Sequence, residues 1–125
     1  MRAMNLDTAG IGLASLCIVH CLALPMIVAL MPMLAGTLDL PEEFHLAMVL
    51  LALPLSGWAL GRGFHRHRHV APAIAGATGL ALMGSAVAFS PDEAWETTQT
   101  TIGSVLLIVA HLGNWARGHG AEAAV

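Results

Sequence analysis

The sequence predicts an all-α fold, a membrane bundle of four transmembrane helices with both termini cytoplasmic, and three observations lead there. Hydrophobic residues make up 57% of the 125 and charged residues only 10%, whereas in an ordinary soluble domain about a quarter are charged. The apolar residues gather in runs at 10–34, 45–63, 70–89 and 97–115, close to the ~20 residues that span a hydrocarbon core. Backbone groups in lipid must pair within their own segment, so such runs are helices. The third observation is the placement of charge. All five basic residues fall on one side: Arg2 before the first run, Arg62, Arg66 and Arg68 between the second and third, and Arg117 after the fourth. The opposite connections carry acids, Asp39, Glu42 and Glu43 in one and Asp92, Glu93 and Glu96 in the other. Arginines near helix ends favour the cytoplasmic side, which puts both termini there. Residues 1–125 are read as a single transmembrane domain.

The first run follows a basic residue, as a signal peptide does, but it is about twice the usual 7–15-residue signal core and contains Pro25 and Pro32, so it is read as a retained helix. It holds the only two cysteines of the chain, Cys17 and Cys21, within SLCIVHCLALP. On a helix these lie one turn apart on one face, with Cβ atoms about 5–6 Å apart. A disulfide prefers about 3.5–4.5 Å, so two sulfurs flanking one metal ion fit the spacing better. Thiolates are soft ligands and select ions such as Cu(I) and zinc, and by the same softness mercury. Pro25 lacks the N–H that the Cys21 carbonyl would accept, so a kink and a polar niche are expected there, facing another helix. His20 lies about 100° around the helix from Cys21 and joins the thiols only if the helix deforms. The same residues have a plainer use: Gly10, Ala14, Cys17 and Cys21 form a small-residue stripe suited to helix packing.

The second run begins after Pro41-Glu42-Glu43, a turn with acids entering a helix. His45 beside these acids is either a gathering point for cations on the outer surface or part of a solvated helix start. Beyond this run comes FHRHRHV, residues 64–70, in which His65, His67 and His69 alternate with arginines. Histidine tracts bind metals, and an extended segment would set the three imidazoles on one side as a relay. Arg66 and Arg68 oppose cation binding there and suit anionic lipid. Helix three carries Gly76, Gly79 and Gly84 among alanines, a composition for close helix contact. The fourth helix opens at Pro91-Asp92-Glu93 and holds His111 at membrane depth, where an ionisable residue is a functional hypothesis by default. If the first and fourth helices pack together, His111 can approach the thiols, with Asn114 holding its second ring nitrogen. The alternative is that His111 and Asn114 both hydrogen-bond across helices. The metal candidates are therefore Cys17, Cys21, His20 and His111, with His45, His65, His67 and His69 as relay or gathering residues.

With these residues assembled, the chain resembles the MerC family of bacterial mercuric-ion transport proteins. The resemblance runs over residues 7–115: D-x-x-G at Asp7 and Gly10, ASLCIVHCLALP at 14–25, EEFHL around His45, LPLSGWAL around Pro54, and GSVLLIVAHLGNW ending at Trp115. It implies a multi-pass protein of the bacterial inner membrane that takes up Hg(II), with Cys17 and Cys21 as the metal-binding positions and cytoplasmic thiols as acceptors. Carriers of this type are expected to have a further cytoplasmic cysteine pair, and this chain has none. The ion then passes directly to a soluble thiol, or the 65–69 histidines substitute, or the metal is not mercury; imidazole suits zinc, copper or nickel better. No organic cofactor, nucleic-acid partner or catalytic constellation is expected, and so no enzyme. The partners expected are membrane lipid, the metal ion and further copies or a larger membrane complex. Two other readings compete: a non-transporting accessory subunit docking through its small-residue faces, and a haem or redox-sensing protein.

Overall fold

In the computed structural model, which describes residues 2–31, 33, 37 and 43–123, the chain forms four helical rods. The first consists of α1 (Arg2–Ile18), a π-helical turn (Val19–Ala23) and α2 (Leu24–Leu30); α3 (Glu43–His67), α4 (Ala71–Phe89) and α5 (Glu93–Ala123) follow. No strand occurs among the described residues. The fold is the all-α membrane bundle that the composition calls for.

Its surface and interior are exchanged relative to a soluble protein. Large apolar side chains point outward, among them Leu50, Leu51, Trp58, Ile74, Phe89 and Val109, while Asp7, Ser56, Thr100, Ser104, His111 and Asn114 are buried. In lipid the outer shell gains nothing by hiding, and polar side chains find their partners only inside. Segments Leu6–Ala23, Leu46–His67 and Ala71–Phe89 are long and apolar enough to cross a membrane. The fourth rod, α5, is long enough but carries Thr100, Ser104, His111 and Asn114, which lower its mean hydropathy and face inward. It packs against α1, α3 and α4, so these polar groups meet protein instead of lipid.

The helices outrun the apolar runs that announce them. The first begins at Arg2, not near residue 10, because Asp7 is folded into the bundle as part of α1. The second continues through His67, so His65 and His67 are helical and the 65–69 tract is not an extended strand-like segment. Basic residues stabilise a helix C-terminus, and the helix ends at Arg68, which takes a left-handed φ of 58°. Pro72 then sits in the first turn of α4, where its missing N–H costs nothing. At the start of α5, Asp92 Oδ1 accepts the Trp95 N–H at 2.8 Å, a side-chain cap, with Glu93 and Glu96 in the first turn. Asp39 and Glu42 lie outside the described residues.

The α4–α5 hairpin is built on glycine. A Cβ on Gly79 would stand 2.6 Å from the Gly103 carbonyl oxygen, and one on Gly103 would stand 2.7 Å from the Gly79 oxygen. Gly76 faces Leu60 and Ala110, whereas a Cβ on Gly84 would meet nothing within 4 Å. Of the three glycines expected to mediate contact, Gly76 and Gly79 do and Gly84 does not. Gly79→Ala or Gly103→Ala should therefore destabilise the bundle by about 1–3 kcal/mol through overpacking, while Gly84→Ala leaves it unchanged. Thermal unfolding of the three variants in detergent, followed by circular dichroism, checks this; equal midpoints for all three would contradict it.

Candidate metal centre

Helices α1 and α5 run antiparallel along one seam. Asp7 meets Asn114, Gly10 meets His111, Cys17 meets Ser104, and Cys21 meets Thr100. The spacings of three, seven and four residues along α1 are matched by the same spacings back along α5. One register thus governs every contact of the seam, and it sorts the polar residues into two layers.

The first layer holds the thiols. Cys17 and Cys21 are both buried in one apolar cluster and form no disulfide; Cys17 interacts with Cys21 and with the Ser104 hydroxyl. Cys21 Sγ lies 3.3 Å from Thr100 Oγ1. The Thr100 hydroxyl donates to the Glu96 carbonyl at 2.8 Å, so the Cys21 thiol is the donor to Thr100. Loss of the thiol proton would let Thr100 turn and donate to the thiolate instead. Just before Pro25 the backbone widens into the π-helical turn Val19–Ala23, a deformation found often at functional sites. His20 lies on that turn but faces elsewhere: its ring is 4.7 Å from that of Phe44 at the start of α3.

The second layer lies about two turns, roughly 10 Å, toward the chain termini, separated from the thiols by Ala14 and Leu107, both buried. Here Nδ1 of His111 donates to Asp7 Oδ1 at 2.8 Å, and Nε2 lies 3.1 Å from Ser56 Oγ. Asn114 Nδ2 donates to both Asp7 oxygens at 3.0 Å and to the Ala59 carbonyl at 3.2 Å. Asn114 Oδ1 in turn accepts from His67 Nε2 at 2.9 Å, because His67 Nδ1 is engaged as acceptor of the His69 N–H at 3.1 Å. His111 is thus held by Asp7 and Ser56, not by Asn114, which holds Asp7. Gly10 and Gly63 admit this cluster: a Cβ at either would run into the His111 ring or the Asn114 amide.

The expected site residues therefore separate. Cys17 and Cys21 come together; His111 sits in the other layer with both ring nitrogens engaged, and His20 turns toward α3. His67 and His69 are neighbours, with ring centroids 5.7 Å apart, while His65 contacts Phe64. The side chain of His45 lies outside the described residues. No group of three or more His, Cys, Asp or Glu able to hold a metal occurs among the described residues. A two-coordinate soft ion needs only the thiol pair.

Asp7 and Ser56 were not anticipated as members of a site. Asp7 continues the small-residue stripe of α1 one step before Gly10, and that spacing is its sequence signal. Ser56, His111 and Asp7 even share the connectivity of a catalytic triad. Ser56 is 0% exposed, so its hydroxyl has no face for a substrate, and the three form a fixed hydrogen-bond chain.

A comparison with protein families matches residues 7–116 to the MerC mercury resistance protein family. The chain belongs to this family. The match begins at Asp7 and ends two residues past Asn114, so it spans both layers of the seam of this MerC protein. Searches of curated proteins and of solved structures found no significant match.

In this MerC chain, Asp7→Ala would leave His111 and Asn114 facing an empty acceptor position in the bundle interior. Removing one member of such a buried pair costs about 3 kcal/mol or more. Asp7→Asn, which keeps one acceptor oxygen, should lose less. Unfolding midpoints in detergent decide: an Asp7→Ala protein as stable as the wild type would show that the second layer does not hold the helices together.

Proposed function

We propose that the protein carries a soft divalent ion, Hg(II), across the bacterial inner membrane through Cys17 and Cys21. The observation behind this reading is a pair of buried, interacting thiols with no disulfide between them inside a membrane bundle, in a chain of a mercury resistance family. Binding of Hg(II) by two thiols releases two protons. The complex of one dication with two thiolates is neutral, which lowers the cost of holding the metal in a low-dielectric interior. Thr100 and Ser104 supply hydroxyl donors for the sulfurs, so each thiolate formed keeps a hydrogen-bond partner.

Release follows by ligand exchange. Two cytoplasmic thiols replace the two protein thiolates on the ion in turn, each passing its proton to the departing sulfur, so that Cys17 and Cys21 leave as thiols. The arginines at the terminus-bearing end, Arg62, Arg66, Arg68 and Arg117, set that end on the cytoplasmic side, nearest the acceptors. With no second cysteine pair in the chain, the acceptor thiols are those of soluble partners.

Cells expressing the wild type should accumulate labelled Hg(II) above an empty-vector control. Cys17→Ser/Cys21→Ser at equal membrane level should fall back to that control, with zinc uptake low throughout. Wild-type cells that accumulate no more Hg(II) than the control would remove the carrier reading.

A further inference from the structure

The thiol layer contains a third sulfur. Met83 on α4 is buried, 2% exposed, in the same apolar cluster as Cys17 and Cys21. Its thioether accepts a hydrogen bond from Ser104 Oγ at 3.8 Å, and Ser104 is the hydroxyl that reaches Cys17. One serine therefore stands between the two sulfurs. The bare Gly103 is what admits Met83: a Cβ there would lie 2.7 Å from Met83 Cγ. Among the methionines whose side chains are described, Met26, Met31 and Met33 are exposed and Met48 is half-buried, while Met83 is fully buried, so this thioether is set apart by its position and not by its residue type.

We propose that Met83 is the third ligand of the metal site, a thioether that joins the two thiolates from a different helix. The inference rests on the thiol pair being the binding site proposed above. The chemistry suits a soft ion. A thioether donates a lone pair without releasing a proton, so the site still gives up two protons and remains neutral around a dication. Thioether and thiolate sulfur together favour soft ions over harder ones. Methionine is unbranched, with three rotatable side-chain bonds, so the sulfur can swing off Ser104 onto an ion held by Cys17 and Cys21. The freed Ser104 hydroxyl then has its proton available for the Cys17 thiolate. Binding would in this way also tie α4 to α1, two helices that otherwise meet chiefly through α5.

The test uses the full chain in detergent with methionine methyl groups labelled with 13C, and one equivalent of Hg(II) chloride as the probe. The Met83 methyl resonance is identified by its loss in Met83→Leu, which keeps the side-chain volume. Free thiols are counted in parallel. Loss of both thiols together with a shift of the Met83 resonance alone supports the proposal. Loss of both thiols with the Met83 resonance unmoved overturns it and leaves the thiol site standing. Thiols that stay free overturn the binding reading itself. Met83→Leu should also weaken Hg(II) binding roughly tenfold in competition with a small thiol and leave zinc binding unchanged; equal Hg(II) affinity in the two proteins would count against the thioether.

Discussion

The arrangement of this bundle depends on one buried carboxyl. Asp7 accepts hydrogen bonds from His111 and, through both oxygens, from Asn114, and those partners are themselves fixed by Ser56, the Ala59 carbonyl and His67 on α3. A carboxyl inside a membrane bundle is costly unless such partners are present. The contact therefore ties three helices at one end and forbids sliding between them. Because α1 and α5 are antiparallel and share one register, setting Asp7 opposite Asn114 also sets Cys17 opposite Ser104 and Cys21 opposite Thr100, about 15 and 21 Å further along the helix.

Two different kinds of chemistry are kept apart by this layout. The layer near the termini is ionisable and oxygen- and nitrogen-rich; the deeper layer holds sulfur and hydroxyl groups. Leu107 and Ala14 lie between them, so the carboxyl and imidazole groups do not compete at the thiols and the thiols do not disturb the network that holds the helices. The glycines serve the same separation. Gly10 and Gly63 make room for the polar cluster, and Gly103 makes room for Met83. An interior crowded with small residues is what lets α5, the least apolar of the four rods, lie among the other three.

Much of this was legible in the sequence. Hydropathy locates the helices, the distribution of arginines groups their ends, and the four-residue spacing of Cys17 and Cys21 on a stripe with Gly10 and Ala14 places both thiols inside. What hydropathy hides is where a helix continues beyond its apolar stretch. Asp7 stands at the edge of the first run and His67 beyond the second, so both look like loop residues, although both are helical and meet the same asparagine. Partner choice was legible only in kind: His111 and Asn114 do hydrogen-bond across helices, one of the two readings the sequence allows, but nothing in it named Asp7, 104 and 107 positions away, as the acceptor. Met83 is one of seven methionines, and only the fold distinguishes it from the others. Just before Pro25 the backbone widens into a π-helical turn, a local deformation where the proline removes a helical N–H.

The central claim is the register of α1 against α5, and a chemical ruler measures it most directly. In a Cys21→Ser background, Ser104→Cys places a second thiol opposite Cys17, where a disulfide requires Cβ atoms about 3.5–4.5 Å apart. Mild oxidation of this protein in membranes should consume both thiols within one chain, and adding Asp7→Ala should slow or abolish the bridge. Two thiols that remain free and alkylatable after oxidation, with Asp7 intact, would contradict the register and with it the placing of the thiol layer on the α1–α5 seam.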